Sequence, residues 1–136
     1  GKTVANYHLG DMNAKHIFYF FPPVNLKLHK PVKGKSFYRR KALQSNFSGT
    51  IIGTLGNINK QKGHGLFIQA ASEFLKLFPS TKFYIFGSLN QSQTKYFDSL
   101  KDDAKLLGLT IDKNIFFIDP KDQAHMYLKC LDLFCW

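Results

Sequence analysis

The stretch Thr50-Ile51-Ile52-Gly53-Thr54-Leu55-Gly56-Asn57-Ile58-Asn59-Lys60-Gln61-Lys62-Gly63-His64 holds the key to the fold. Its first seven residues form a near-continuous apolar run, the composition of a strand buried on both faces of a parallel sheet. A polar loop, residues 57–62, follows. Residues 63–78 then set Phe67, Ala70, Ala71, Phe74 and Phe78 on one side and Gln69, Ser72, Glu73 and Lys76 on the other. That is helical spacing, and Pro79 marks its end.

Downstream the same alternation repeats. Lys82-Phe83-Tyr84-Ile85-Phe86-Gly87 reads as a second strand. Asn90 or Ser92 can cap a helix running to about Leu107, with Tyr96, Phe97, Leu100, Ala104 and Leu107 sharing a face and Gly108 placed as its stop. Asn114-Ile115-Phe116-Phe117-Ile118 is a third strand. Residues 121–131 repeat helical spacing through Ala124, Tyr127, Leu128 and Leu131, and Asp132-Leu133-Phe134-Cys135-Trp136 reads as a fourth strand, broken off where the sequence stops. Strand–helix alternation through four strands implies an α/β domain, a Rossmann-like parallel sheet with helices on both faces. A natural domain seldom stops inside a core strand, so a truncated unit is expected. Residues 1–48 are basic and irregular, with Pro22, Pro23, Pro31 and Gly34. Residues 18–21 are compatible with a short strand, 27–35 with a loop and 37–44 with a short helix. The expected division is therefore a connecting segment over 1–48 and an incomplete domain over 49–136.

The 136 residues suffice to bury one core without staples, and 44% apolar with 15% aromatic content argues against disorder. The net charge is +10. No carboxylate lies between Asp11 and Glu73, whereas Lys15, Lys27, Lys30, Lys33, Lys35, Arg39, Arg40, Lys41, Lys60 and Lys62 all do, and these ten cations equal the whole excess. Such a field favours an anionic partner, although residues 27–41 read equally well as a solvated basic segment. The apolar stretch 17–21, ended by Pro22-Pro23, is too short to span a bilayer, and no signal peptide precedes it. Cys130 and Cys135 have neither zinc spacing nor good disulfide prospects, which points to reduced thiols in the cytoplasm. The sequons at Asn46 and Asn90 match a common pattern and add nothing without a secretory signal.

Ligands of open α/β sheets bind beyond the carboxyl ends of the strands. Here that place is residues 56–64. Glycines at both ends let the backbone turn, the helix start offers unpaired N–H groups, and Lys60 and Lys62 add full charges, so a diphosphate is the natural guest. Lys62 is followed by Gly63 where a Walker loop needs Ser or Thr, and G-x-G-x-x-G is missing. P-loop and dinucleotide readings therefore fall away.

The loop Gly56 to Gly63 resembles the G-R-L-x-x-x-K-G signature of the nucleotide-sugar domain of two-domain (B-type fold) glycosyltransferases, especially the retaining family 4, or group 1. The likeness continues in order. The helix ending before Pro79 resembles the family's leucine/alanine-rich helix, and the strand ending at Gly87 its l-x-i-x-G strand. Lys105-Leu106-Leu107-Gly108-Leu109 resembles a-x-x-L-G-L, Asn114 to Asp119 the N-V-x-F-x-G strand, and residues 127–134 y-x-x-a-D-l-f. Phe21-Pro22-Pro23-Val24-Asn25 is a looser echo of y-N-G-V-D, so the resemblance covers about residues 17–136. It implies that Lys62 grips the sugar-nucleotide diphosphate as the catalytic cation. Gly56, Asn57, Gly63 and Gly87 would line the nucleotide-sugar site, and the backbone at Phe117 and Ile118 would read the base. It further implies a glycosyltransferase of hexosyltransferase type, with a nucleotide-diphosphate sugar as donor, no metal or other cofactor, and a glycan, lipid-linked or small acceptor. A role in polysaccharide biosynthesis follows, in the cytoplasm or peripherally at an anionic membrane.

The departures are specific. Asn57 stands where the family has arginine, and Asp119 where it has glycine. The family's two glutamates separated by seven residues should follow Trp136, so the fragment is expected to be inactive alone. Asp102-Asp103 is not a D-x-D metal motif and reads as solvated charge. His64 reads either as a hydrogen-bond donor beside the phosphate loop or as a surface histidine, and His8, His16, His29 and His125 share no ligand spacing. The alternative reading is a basic α/β nucleic-acid-binding module without catalytic activity, drawing on Phe37-Tyr38-Arg39-Arg40, where aromatics interleave with arginines. No RRM, KH, OB or helix-turn-helix signature supports it.

Overall fold

The computed structural model describes residues 25, 27, 30 and 34–136. The chain divides into two compact units, residues 1–30 and 31–136, and the sheet with its helices lies in the second. The expected strand at 18–21, the 21–25 motif, and His8, His16 and His29 lie outside the described residues.

Helix α1 (Ser36–Leu43) precedes strand β1 (Ile51–Leu55), then helix α2 (His64–Leu77), strand β2 (Lys82–Phe86), helix α3 (Thr94–Leu106), strand β3 (Ile115–Ile118), helix α4 (Ala124–Leu128) and strand β4 (Leu133–Cys135). The four strands form one sheet in the order β3-β2-β1-β4, and every pairing is parallel. Side chains alternate across each strand, which sorts the core into two layers. Ile52, Phe83, Ile85 and Ile115 pack under α2 and α3 with Ile68, Ala71, Leu100 and Ala104. Ile51, Tyr84 and Phe86 pack with Leu131 on the opposite face, where Leu43 of α1 and Tyr127 and Leu128 of α4 close the layer. The sheet is thus Rossmann-like, with helices on both faces.

Two local expectations are corrected. Helix α2 is rotated from its expected seating: Ser72 is buried and Ala70 exposed, and Phe78 lies half out of the core. The Ser72 hydroxyl donates to the Leu107 carbonyl at 2.7 Å, so the polar atom is satisfied and its small side chain lets α3 approach. The helix anticipated over 121–131 is a 3₁₀ turn, Lys121–Gln123, followed by only five α-helical residues. Lys121 adopts a positive φ of 45°, which interrupts regular entry into a longer helix. The shift at α3 is smaller. Asn90 caps a 3₁₀ turn, Gln91–Gln93, through the Ser92 amide, and the α-helix begins at Thr94. Gly108 ends it at φ 82°, with the Leu109 amide reaching back to the Ala104 carbonyl.

Arg39 ties α1 to the sheet. Its side chain is buried and donates to the carbonyls of Cys130, Phe47 and Gly49 and to the Asp132 carboxylate. Asp132 also accepts from the Lys35 ammonium at 2.9 Å and from the Ile51 amide at 2.8 Å. A fork of rigid donors on one guanidinium is what lets a single residue satisfy so many acceptors. Cys130 and Cys135 are free thiols. Burial pushes the Cys130 thiol up to about 11, which keeps it protonated and unreactive at neutral pH.

Candidate functional site

Because every strand is parallel, the carboxyl ends of all four lie at one end of the sheet. The loop leaving β1 is pinned there residue by residue. The Gly56 amide donates to the Phe86 carbonyl at 2.9 Å and the Ile58 amide to the Ser88 carbonyl at 3.0 Å, so the chain runs on beside the exit of β2. The Ile58 side chain is buried in the core beneath. Asn59 then folds the loop back: its side-chain oxygen accepts from the Gln61 amide and its carbonyl from the Lys62 amide. This shapes the 3₁₀ turn Lys60–Lys62. Gly63, at φ 68°, redirects the chain into α2, a conformation that disfavours any side chain.

Two close approaches define the floor. A Cβ on Gly87 would fall inside the carbonyl oxygen of Gly56, while the Gly87 amide donates to the Ile118 carbonyl at 2.9 Å. The exits of β1, β2 and β3 are thereby locked side by side. Over Gly56 lie the methylenes of Lys62, whose Cδ would be 3.2 Å from an added Cβ there. The Lys62 ammonium sits 5.7 Å from the Trp136 ring centre. Together with Thr54, Leu55 and Gln61 these two side chains line a cavity of about 190 Å³ at the tips of β1 and β4. A second cleft, about 420 Å³, lies between Asn57–Asn59 and Ser88–Asn90 at the exits of β1 and β2. Lys60 is exposed beside them, and the first-turn amides of α2 have no intrahelical acceptors. The arrangement offers positive charge and N–H groups to an anion at the β1 end of the site.

The far side carries the opposite charge. Asp119, beyond β3, accepts at one carboxylate oxygen from the Ser88 hydroxyl (2.8 Å) and the Lys121 amide (3.0 Å). The Lys121 amide, and then Ser88, hold its carboxyl below the usual aspartate range. Phe117 and Ile118 lie in β3, an edge strand. Asn114 and Ile118 direct their carbonyls at β2, so the parallel ladder turns the amide and carbonyl of Phe117 toward the open edge. Their side chains pack into the two core layers.

His64 is the first residue of α2 and is fully buried, which corrects its surface reading. Its position on the stripe His64, Ile68, Ala71 could have signalled this, since residues four and seven apart share a helical face. Its Nε2 lies 3.2 Å from the Asn57 carbonyl, whereas Nδ1 is buried without a hydrogen-bond partner. Burial lowers its affinity for a second proton, outweighing the pull of the nearby Asn57 and Gly56 backbone, and Lys62 lowers it further.

The other candidates fall elsewhere. Arg39 spends its donors inside the fold, so Phe37-Tyr38-Arg39-Arg40 is not the interleaved binding strip of the alternative reading. Phe37 and Arg40 remain exposed on α1. Asp102 pairs with Lys105 on the outer face of α3. Among the described residues, no group of three His, Cys, Asp or Glu side chains could hold a metal ion. Nor is any helix among them long and apolar enough to cross a membrane. Trp136 as the neighbour of Lys62, and the Arg39–Asp132 pair, had no signal in local sequence: both join residues far apart along the chain.

These features define an α/β protein with a basic loop at the carboxyl ends of a doubly covered parallel sheet. The family model for glycosyl transferases group 1 matches residues 38–136, and the chain belongs to that family. Its structure is similar to the C-terminal domain of the glycosyl transferase group 1 family protein LpcC from Francisella tularensis. The TM-score is 0.68 and the identity 25%, over 82% of this chain and 57% of that one. It is also similar to Anabaena Alr3699/HepE, solved in complex with UDP and glucose, at TM-score 0.68 and 17% identity over 82% of this chain and 29% of that one. The second likeness concerns the fold alone. In both cases the chain spans less than two thirds of the protein it resembles. No curated protein sequence matches it.

Proposed function

We propose that this chain forms the donor side of a retaining glycosyltransferase. It would bind a nucleotide-diphosphate sugar and present the donor for transfer to a glycan, lipid-linked or small acceptor. The observation that supports this best is the placement of Lys62, over the β1 and β4 tips and above a cavity, beside the N-terminus of α2. In that role its ammonium stabilises the charge that develops on the departing diphosphate as the glycosidic bond breaks. One lysine–phosphate contact at about 4 Å and an effective dielectric of about 20 is worth ~4 kcal/mol before desolvation is subtracted. Lys60 supplies a second cation where Asn57 replaces the family's arginine. No metal enters this reading.

The charge gradient orients the donor. Asp119 repels phosphate, so the diphosphate belongs at Gly56–Gly63 and the nucleoside runs toward β3. Two strand spacings, about 10 Å, separate the ends, and there the outward amide and carbonyl of Phe117 can meet the base, whereas the Ile118 carbonyl is taken up by the Gly87 amide. HepE, in complex with UDP and glucose, makes UDP the first probe to try. The exposed Phe37, Arg40 and Lys41 of α1 give a peripheral anionic membrane a point of contact, in line with a lipid-linked acceptor.

Calorimetric titration of the 136-residue chain with UDP, GDP and ADP, and separately with a short single-stranded oligonucleotide, tests the reading. Saturable binding of at least one nucleoside diphosphate is expected, weakened at least tenfold in Lys62→Ala with an unchanged melting temperature, as loss of one charged contact implies. Nucleoside diphosphate binding indifferent to Lys62, or oligonucleotide binding alone, would overturn it.

A further inference from the structure

We infer that His64 is a positioning residue for the donor loop: its imidazole holds the Asn57 carbonyl and so presents Lys62 over the ends of β1 and β4. The inference rests on the donor-site reading and adds to it a residue that does not itself touch the ligand.

The ring joins the two ends of the loop. His64 begins α2, Asn57 is the second residue after β1, and the contact between them is 3.2 Å. A carbonyl oxygen only accepts, so the contact is a hydrogen bond when Nε2 carries the proton. Nδ1 is then a bare acceptor, buried with no partner. A leucine would fill a buried helix position without stranding a polar atom. What imidazole adds over an aliphatic side chain is the bond to Asn57. Among the described residues the Lys62 amide bonds only to the Asn59 carbonyl, so the Asn59–Lys62 turn hangs between the Gly56 and Ile58 amides, which hold it to β2, and its junction with α2. His64 fastens it.

The test compares wild type with His64→Gln, His64→Asn and His64→Leu, measuring melting temperature and affinity for whichever of UDP, GDP and ADP the wild type binds. Glutamine can set an N–H near the Nε2 position, whereas asparagine reaches only as far as Nδ1. Affinity should fall about five- to tenfold in the Leu and Asn variants, the worth of one hydrogen bond, and stay within about twofold of wild type in Gln. Long-range ¹H–¹⁵N NMR of the wild type should show the proton on Nε2, a readout that needs no variant to fold. Wild-type affinity in a folded Leu variant, or a proton on Nδ1, overturns the inference and leaves the donor site standing. A wild type that binds none of the three nucleotides overturns the donor site itself, and the inference with it.

Discussion

A methyl group on Gly87 would clash with the Gly56 carbonyl oxygen, and backbone cannot swing aside as a side chain can. Gly87→Ala must therefore separate the exits of β1 and β2, at a cost on the order of 1–3 kcal/mol for overpacking. Denaturant unfolding should register that loss, and nucleoside diphosphate affinity should fall with it because the loop moves. An unchanged unfolding midpoint would show that the two exits are looser than the geometry states. Lys62 belongs to the same scale but with the opposite expected signature: removing its exposed ammonium should weaken nucleoside diphosphate binding and change stability little. At this scale the sequence placed Gly56 and Lys62 in one loop after β1, where the structure has them. It was silent about Trp136, seventy-four residues later in the numbering yet beside the same ammonium.

Helix α1 is held by one buried guanidinium and one carboxylate, and the pair governs how that helix responds to acid. For Asp132, burial disfavours the charged form. The Lys35 hydrogen bond, the Ile51 amide and the Arg39 charge together outweigh it, so the folded carboxyl titrates below its ordinary value of 3.8. The unfolded chain therefore takes up the proton first as the pH falls. The stabilisation is complete above about pH 4 and drains away as the pH drops through the folded value. Asp132→Asn should lower stability at neutral pH by on the order of 3 kcal/mol, because Arg39 is left buried with an uncompensated charge. It should also flatten the acid limb of the stability curve, although Asp119, held low as well, keeps some slope. A variant whose acid limb matches wild type would remove Asp132 from this account. The elements themselves were legible because period-2 and period-3.6 patterns survive in local sequence. The rest was not, because hydrogen bonding overrides polarity. Ser72 reads as a solvent-facing residue until its hydroxyl finds Leu107, and Arg39 reads as surface charge until three carbonyls and Asp132 surround it. The short α4 escaped for a related reason: Ala124, Tyr127, Leu128 and Leu131 have helical spacing, but Leu131 reaches the core from beyond the helix end.

For the molecule as a whole, a ligand that binds only the folded state raises its stability by mass action. At one hundred times its Kd, the nucleoside diphosphate should add about 2.7 kcal/mol. For a domain of this size that is a rise in melting temperature on the order of 10 °C. The increment should shrink in Lys62→Ala; equal shifts in both proteins would place the ligand away from the β1 loop. The strand order has a consequence for how the site comes into being. β1 occupies an interior place in the sheet, yet its partner on one side, β4, is the latest of the four strands along the chain. During N-to-C synthesis β1, the Gly56–Gly63 loop and α2 emerge long before residues 133–136. Until those residues arrive, one hydrogen-bonding flank of β1 stands open and the wall beside the Lys62 ammonium is missing. The Lys62 cavity is thus begun early and closed late, so on the donor-site reading the nascent chain should bind a nucleoside diphosphate only once β4 has docked.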